Sequence, residues 1–459
     1  MSIVSGIFVA LITLIGIRFF AYFHSFFAHW PRYRQRVQVT TQDVFCARPP
    51  YVKIQITTRG SAGTTQVITR GIRAVVDLVN EAPWLYAALI SVEVVTESEQ
   101  QANNLIGYFA QAPIPVAAYV LPTEYQTVRG TKLKARALHY MVELRRCGLN
   151  SKPGKTFIVH YDEESVMTPN ELKGLVLYLA KTSKRLMEGP IYYPLEYGEA
   201  NVLCQAMEAN RPIGCFECRA VMERGVPFHL HGSNLVIDEA LENELGWDIG
   251  NLDGQPFIAE DFVFGMLAYL RYGRAIFGWH GCVMLEQPPF SVKSAFRQRY
   301  RWVIGVLQGL TQIARMHEFR SLPASLRWEL VWGTCYRVTT FALGMPVGVF
   351  SLLYIIYQML LAALGYHIPP PSWYLSAWLL LIGLLWLNAI FIGAWYNLSS
   401  STLSQMQRVI AVAQVLAIAP LAGIVESTAA FWAVLQWVRG ERRVVWTTTP
   451  KTKQADRVA

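Results

Sequence analysis

Three consecutive acidic residues, Asp162, Glu163 and Glu164, directly follow the apolar, β-branched run Thr156 to Tyr161. Such a run is typical of a buried strand, and an open α/β sheet usually holds its ligand at the carboxyl ends of its strands. Side chains alternate along an extended chain, so Asp162 and Glu164 can face one cation, which in turn can bind a diphosphate. We expect Glu163 to point away and to be the most replaceable acid. The alternative is a solvated acidic turn.

A second acid pair, Glu260 and Asp261, begins the helical run from Phe262 to Arg271. Acidic residues stabilise a helix N-terminus in any protein, so a capping role is the simple interpretation. The more specific hypothesis makes Asp261 a general base that takes a proton from an acceptor hydroxyl in a water-poor cleft.

Further along, the segment Gln298-Arg299-Tyr300-Arg301-Trp302 places an amide, two guanidinium groups and an indole within little more than one helical turn. An indole face stacks well on a sugar ring, and an arginine can neutralise a leaving diphosphate. Anchoring at a membrane interface, where tryptophan and arginine are common, is the alternative.

Other polar residues follow predicted strands. Thr57 and Arg59 can bind a base or phosphate, Glu97 can accept a hydrogen bond from a ribose or base, and Lys134 lies among cations at the start of a helix. Cations at a helix N-terminus favour an anion. Each of these features alone also fits a polar turn, a helix cap or a solvated basic face.

The elements that position these residues alternate between strand-like and helix-like segments, from about residue 37 to residue 289. Strands are predicted at 52–57, 89–95, 113–121 and 156–161, and helices at 66–80, 131–145 and 170–186. This order predicts an α/β domain with a mostly parallel sheet and helices on both faces. The polar strand ends then gather at one edge of the sheet.

The composition indicates membrane segments in addition to this domain. Hydrophobic residues make up 53% of the 459 residues and charged residues only 16%, against a usual charged share of about a quarter. The net charge of +9 is then better explained by positive-inside loops and anionic lipid than by nucleic acid. The seven scattered cysteines suit a reducing compartment, and the lone pair Cys215 and Cys218 is weak support for zinc.

The first apolar segment, residues 3–27, is long enough to span a bilayer and too long for a cleaved signal peptide. Arg32, Arg34 and Arg36 follow it, so the positive-inside rule places the N-terminus outside and the α/β domain in the cytoplasm. We therefore expect an integral, multi-pass membrane protein with its functional site on the cytoplasmic face.

The C-terminal third contains several more apolar stretches. Residues 291–318 predict an amphipathic helix at the membrane interface, and 373–395 a simple span. Gly344 and Pro346 are expected to divide the stretch 327–364 into an interfacial and a spanning part.

The last apolar stretch, 409–437, is followed by arginines that favour a cytoplasmic C-terminus, whereas three simple C-terminal crossings would leave it outside. A re-entrant hairpin broken at Pro420 reconciles the two. Glu426, within this stretch, would face protein or a water-filled cavity, in a structural or a functional role.

Five parts are therefore predicted: a transmembrane helix (1–30), a cytoplasmic α/β domain (37–290), an amphipathic helix with the QxxRW motif (291–325), transmembrane or re-entrant helices (326–438) and a basic cytoplasmic tail (439–459).

The chain resembles the family 2 glycosyltransferases, membrane-attached enzymes with a GT-A (Rossmann-like) fold. The likeness lies in the order of its motifs: polar strand ends, the DxE triplet at 162–164, the acid pair at 260–261 and the QxxRW motif at 298–302. Within that family the chain resembles the Egghead branch over roughly residues 50–310. The segments that carry this likeness are Ile56-Thr57-Thr58-Arg59-Gly60, Val94-Val95-Thr96-Glu97, Lys132 to Leu138, His160 to Glu164, Gly246-Trp247-Asp248, Ala259-Glu260-Asp261, Gln287 to Ser291 and Gln298 to Trp302. Egghead proteins are β-1,4-mannosyltransferases that use GDP-mannose and a glucosylated lipid.

The resemblance implies a role for each residue. Thr57, Arg59, Glu97, Lys134 and Asp162 would bind the nucleotide and its diphosphate. Asp162 and Glu164 would hold Mg²⁺ or Mn²⁺, in a DxE triplet where the family commonly has DxD. Asp261 would be the catalytic base. The residues implied at the acceptor and diphosphate are Glu260, Gln298, Arg301 and Trp302.

The function expected from the sequence is therefore metal-dependent, inverting transfer of a hexose, with mannose from GDP-mannose as the best candidate, to a glycolipid in the membrane. A processive polysaccharide synthase that uses a UDP-sugar is the alternative within this class. A membrane scaffold or transporter without catalysis is the alternative from another class.

Overall fold

The computed structural model describes residues 3–36, 38–61, 63–149, 152, 154–228, 230–366, 372–442 and 450. Residues 367–371 and most of the predicted basic tail, 439–459, lie outside these described residues.

The strands, in chain order, are β1 Tyr51–Thr58, β2 Ile90–Thr96, β3 Val116–Val120, β4 Thr156–Tyr161, β5 Leu186–Glu188, β6 Ile191–Tyr192, β7 Leu235–Asp238, β8 Asn251–Leu252, β9 Gln255–Pro256, β10 Phe277–Trp279 and β11 Met284–Leu285. The helices are α1 Ile3–Arg36, α2 Thr41–Cys46, α3 Thr64–Glu81, α4 Pro83–Tyr86, α5 Glu99–Tyr108, α6 Leu133–Arg146, α7 Pro169–Lys181, α8 Val202–Ala209, α9 Arg211–Glu223, α10 Glu239–Leu245, α11 Glu260–Tyr272, α12 Val292–Arg315, α13 His317–Ser321, α14 Ala324–Ala363, α15 Trp373–Asn397 and α16 Gln405–Val438.

A seven-stranded sheet forms the centre of the α/β domain, in the order β10-β5-β7-β4-β1-β2-β3. β7 is antiparallel to β4 and β5, and the other neighbouring strands in this sheet are parallel. The four strands predicted from the sequence are β1 to β4, so the prediction of a mostly parallel α/β sheet is confirmed.

Helices cover both faces of the sheet, as the alternation of buried side chains on β1 requires. Ile54 packs in an apolar cluster with residues of α3 and α7. Its neighbours point the other way, towards α6 and α10, where Lys53 Nζ lies 2.7 Å from Glu239 Oε1 and Arg145 Nη1 lies 2.7 Å from Gln55 Oε1. These buried polar groups are tolerable because they are hydrogen-bonded to one another.

Within the described part of the chain, four helices are long and apolar enough to cross a membrane: α1, α14, α15 and α16. The outer parts of α1, α14 and α15 expose large apolar side chains such as Ile7, Leu353 and Leu380. Their other parts pack against the α/β domain, as where Ile213 of α9 lies in one cluster with Tyr22 and Ala389.

The predicted division of the stretch 327–364 is wrong, because α14 is a single helix that continues through Gly344 and Pro346. Gly344 instead allows a close approach between helices, since a Cβ there would collide with the side chain of Ser427 on α16. Small residues commonly serve this purpose where helices pack in membranes.

The predicted re-entrant hairpin is also wrong, because α16 is one helix that continues through Pro420. Near its start, Val412 packs in a cluster with Cys204 of α8. At its other end, Gln436 accepts a hydrogen bond from the Tyr300 hydroxyl, and Arg442, just beyond the helix, lies 3.6 Å from Asp253. One end of α16 therefore lies beside α8, and the other lies beside α12 and Asp253 of the α/β domain.

Candidate active site

The carboxyl ends of three neighbouring parallel strands meet at one edge of the sheet. Thr58 at the end of β1 lies opposite Thr96 at the end of β2, and Ile56 lies opposite Tyr161 at the end of β4. The polar residues that follow these strands are therefore brought together by the strand register. They open into a cavity of ≈ 290 Å³.

All eleven residues predicted for the site line this single cavity. From the strand ends and α6 come Thr57, Arg59, Glu97, Asp162, Glu164 and Lys134, and from α11 and α12 come Glu260, Asp261, Gln298, Arg301 and Trp302. The structure thus brings together segments that are separated by much of the chain.

Lys134, in the first turn of α6, is held between acidic groups. Its Nζ lies 2.5 Å from Asp162 Oδ1 and 4.0 Å from Glu260 Oε1, and it donates to the Gly232 carbonyl at 2.9 Å. Burial acts to lower the pKa of Lys134, but the two carboxylates outweigh it, so its pKa is raised and the ammonium stays charged.

Glu163 does not point away from the site, so that prediction is wrong. Its Oε1 accepts hydrogen bonds from Thr58 Oγ1 at 2.5 Å and from the Arg59 amide at 3.3 Å. The carboxylate thus ties the turn after β4 to the end of β1, and it lines the same cavity. It is a structural part of this edge of the sheet.

The DxE carboxylates suit a divalent cation by their chemistry. Asp162 and Glu164 both line the cavity, and Glu164 is 7% exposed. Mg²⁺ commonly takes one or two protein carboxylates and completes its shell with phosphate oxygens and water. Among the described residues, no group of three or more His, Cys, Asp or Glu side chains that could hold a metal ion is found.

Asp261 lies in the first turn of α11 and accepts a hydrogen bond from the Phe262 amide at 2.8 Å. Burial, together with the negative charge of Glu260, raises the pKa of Asp261 to about 8. The pKa of Glu260 is also raised, by burial, although Lys134 opposes the shift. A carboxyl with a pKa near neutrality is suited to take up a proton during a reaction.

The QxxRW segment lies on α12, which packs between α11 and α16. Gln298, Arg301 and Trp302 line the cavity, whereas Arg299 is fully buried. The guanidinium carbon of Arg211 lies 4.7 Å from the centre of the Trp302 ring, and that of Arg299 lies 5.1 Å from it. Cation–π contacts of this kind orient an indole.

On the opposite side of the cavity, Glu97 follows β2 and its Oε1 lies 3.2 Å from Arg136 Nη2. The Gly246-Trp247-Asp248 segment, by contrast, supports α6 from outside the cavity. Asp248 Oδ1 accepts from Thr131 Oγ1 at 2.7 Å, and its Oδ2 accepts from the Arg129 amide at 2.8 Å.

Several cavity residues escaped the sequence analysis, among them Tyr193, Arg211, His231 and Glu286. Glu286 is 5% exposed and accepts hydrogen bonds from Ser165, at 2.9 Å, and from Ser233. It thereby braces the turn that carries the DxE acids. No local sequence pattern indicates the place of His231 in the fold.

The lining of the cavity also includes apolar side chains, among them Ile191, Cys215, Leu230 and Val306. Burial raises the pKa of Cys215 to about 12, so at neutral pH it contributes a neutral thiol to this apolar wall.

The chain is similar to known glycosyltransferases. It is 29% identical over 190 residues to the β-1,4-mannosyltransferase egh of Drosophila melanogaster, covering 41% of this chain and 40% of that protein. It is also 29% identical over 209 residues to the β-1,4-mannosyltransferase bre-3 of Caenorhabditis elegans, covering 44% of each. The matched region thus spans less than half the length of these relatives.

Two solved structures are similar over 85% of this chain. One is the mannosyltransferase PcManGT of Pyrobaculum calidifontis in complex with GDP-Man and Mn²⁺, with 15% identity, a TM-score of 0.41 and 99% of that chain covered. The other is S. aureus TarS 1–349, with 10% identity, a TM-score of 0.38 and 92% of that chain covered. The sequence profile described as glycosyl transferase family group 2 matches residues 157–396, which is more than half of the chain. With its mixed, mostly parallel GT-A sheet and its apolar helices, this membrane protein belongs to glycosyl transferase family group 2.

Proposed function

We propose that the protein is an inverting, metal-dependent mannosyltransferase that moves mannose from GDP-mannose to a glycolipid in the membrane through a β-1,4 linkage. The single observation that carries this proposal is the convergence of Asp261, the DxE acids and Trp302 on one cavity. The similarity to two relatives named β-1,4-mannosyltransferases supports mannose as the sugar.

Asp261 is the proposed base. It would take the proton from the acceptor hydroxyl as that oxygen bonds to the anomeric carbon and the bond from that carbon to the diphosphate breaks. Displacement in line converts an α-linked donor into a β-linked product. The raised pKa of Asp261 matches it to a hydroxyl proton better than an ordinary aspartate.

The leaving diphosphate would lie beside Lys134 and Arg301, both of which line the cavity. Fixed cations in a partly dry site stabilise developing negative charge strongly. Asp162 and Glu164 would hold Mg²⁺ or Mn²⁺, which supplies further charge stabilisation to the diphosphate. Thr57, Arg59 and Glu97 are left to contact the nucleoside at the strand ends.

The apolar part of the cavity lining suits an acceptor attached to lipid. Ile191, Leu230 and Val306 line the cavity, as does Cys215 of α9, and α9 packs directly on the apolar helices α1 and α15. Arg32 and Arg34, at the end of α1, support a cytoplasmic position for the site by the positive-inside rule.

A donor screen on the purified full chain tests this proposal. The protein in detergent or nanodiscs would receive GDP-mannose or UDP-sugars, a glucosylated lipid, and Mn²⁺, Mg²⁺ or EDTA, with product analysis by mass spectrometry and linkage analysis. We expect one hexose to be added from GDP-mannose only in the presence of metal. Turnover of no nucleotide sugar would contradict the enzyme assignment, and a ladder of products from a UDP-sugar would favour a processive synthase.

A further inference from the structure

Glu426, in the apolar helix α16, contacts two guanidinium groups of the α/β domain. Its Oε1 lies 3.2 Å from Arg299 Nε and 3.5 Å from Arg211 Nη2. A carboxylate in so apolar a helix is costly unless it is paired. Glu426 therefore has a specific partner set, and that set lies next to the QxxRW segment.

A second carboxylate completes the cluster. Glu208 of α8 lies 3.2 Å from Arg211 Nε and also accepts from Arg299 Nη2. Two cations and two anions thus come from four different helices, α8, α9, α12 and α16. Arg299 is fully buried, and both carboxylates pair with it, since an unpaired charge in that position would be strongly destabilising.

Both arginines of the cluster also touch Trp302. Their guanidinium carbons lie 4.7 Å and 5.1 Å from the centre of its ring. Trp302 and Arg211 line the cavity, whereas Arg299 and Glu426 do not. The ion cluster therefore contacts the indole through residues both inside and outside the cavity lining.

We propose that Glu426 is a positioning residue for the acceptor: through Arg299 and Arg211 it holds the Trp302 ring at the acceptor end of the cavity. In this way α16, a helix with the composition of a membrane span, directly determines part of the active-site geometry. The inference rests on the proposed function, in which Trp302 contacts the acceptor.

Glu426→Gln removes the charge with little change in shape, and Glu426→Asp keeps it. The matched control is Thr428→Val on the same helix, because the Thr428 hydroxyl bonds to the carbonyl of Ile424 in the preceding turn. We expect Glu426→Gln to raise the acceptor KM about tenfold, with GDP-mannose affinity within about twofold of wild type. Glu426→Asp should recover most of the loss, and Thr428→Val should behave as wild type.

An equal loss of donor and acceptor affinity would overturn the proposal, because it would indicate a general structural defect. An unchanged acceptor KM would also overturn it. If Glu426→Gln does not fold, Arg299→Lys tests the same contact from the other partner, and the same acceptor-specific defect is expected.

Hydrogen exchange of residues 298–304 provides a readout that does not depend on activity. Exchange there should be faster in Glu426→Gln than in Thr428→Val or wild type. If wild type transfers no sugar, the proposed function fails while this measurement still tests the positioning. If exchange is the same in all three proteins, the positioning role fails even where transfer is intact.

Discussion

The two halves of the cavity are built in different ways. The proposed donor half, comprising Thr57, Arg59, Glu97, Asp162 and Glu164, consists of residues at or just after the carboxyl ends of neighbouring strands. The strand register brings them to the same edge of the sheet. The acceptor half is built from helices, and its key side chains are placed by ion pairs between those helices.

Trp302 illustrates the acceptor half. Its position depends on Arg211 and Arg299, which in turn depend on Glu208 and Glu426. Residues distant from the reaction therefore control the acceptor half, whereas the donor half depends on the sheet. Donor and acceptor binding should accordingly respond to different mutations.

The largest effect is expected at Asp261, where the two halves meet. Asp261→Asn removes the proton acceptor but keeps the shape and the contact with the Phe262 amide. We expect transfer to fall by a factor of about 10² to 10⁴, with GDP-mannose affinity retained. Single-turnover assays and donor titrations would measure the two quantities, and an active Asp261→Asn enzyme would exclude this residue as the base.

Glu164→Gln tests the donor half. It removes a carboxylate from the proposed cation site, so we expect donor affinity in Mn²⁺ to fall about 10- to 100-fold. Calorimetric titration with GDP, with and without Mn²⁺, would detect this loss. If affinity remained dependent on Mn²⁺ to the same degree as in wild type, Glu164 would not be a metal ligand.

Trp302→Ala tests the acceptor half. Loss of the ring is expected to cost about 1–3 kcal/mol of acceptor interaction, by analogy with other stacked rings, and to leave GDP-mannose affinity unchanged. Steady-state kinetics with varied glycolipid would show the effect in the acceptor terms alone. A parallel loss of donor affinity would show that the two halves are not independent.

The residues of the donor half could be predicted from the sequence for a physical reason. A buried strand has a recognisable apolar pattern, and the residue that follows it must lie at the sheet edge. The acids after β4 and Glu97 after β2 were located in this way. Tyr193, Arg211 and Glu286 follow no such rule, because helix packing and long connections bring them to the cavity.

The ion pairs that position the acceptor half could not be predicted in this way, because they join residues far apart in the chain. Arg299 and Glu426 are 127 positions apart, and no local pattern records their contact. Gly344 and Pro420 were interpreted as breaks in helices because propensity disfavours both residues inside a helix. Packing of α14 against α16 overrides that propensity. The contacts between the two helices stabilise both of them, and Gly344 permits their close approach.

The pH dependence of transfer tests the role of Asp261, where the donor and acceptor halves meet, without any mutation. Asp261 acts as a base only when it is deprotonated, and its pKa is raised to about 8 by burial and Glu260. The active fraction therefore rises with pH up to and through that value, so transfer should fall by about fivefold from pH 8 to pH 7 in the free enzyme. A profile of kcat/KM would show this limb, and its loss in Asp261→Asn would assign it.

The smallest effect is expected at Glu163, and it separates structural support from donor contact. Glu163→Gln keeps a hydrogen-bond acceptor for Thr58 and the Arg59 amide but weakens it, since a bond to a charged group exceeds a neutral one by about 1 kcal/mol. We expect a modest loss of thermal stability and a decrease in donor affinity of about fivefold or less. The dependence on Mn²⁺ should remain, unlike in Glu164→Gln. If Glu163→Gln instead abolished the dependence on Mn²⁺, Glu163 would be a metal ligand, and the donor half would use a different pair of acids from Asp162 and Glu164.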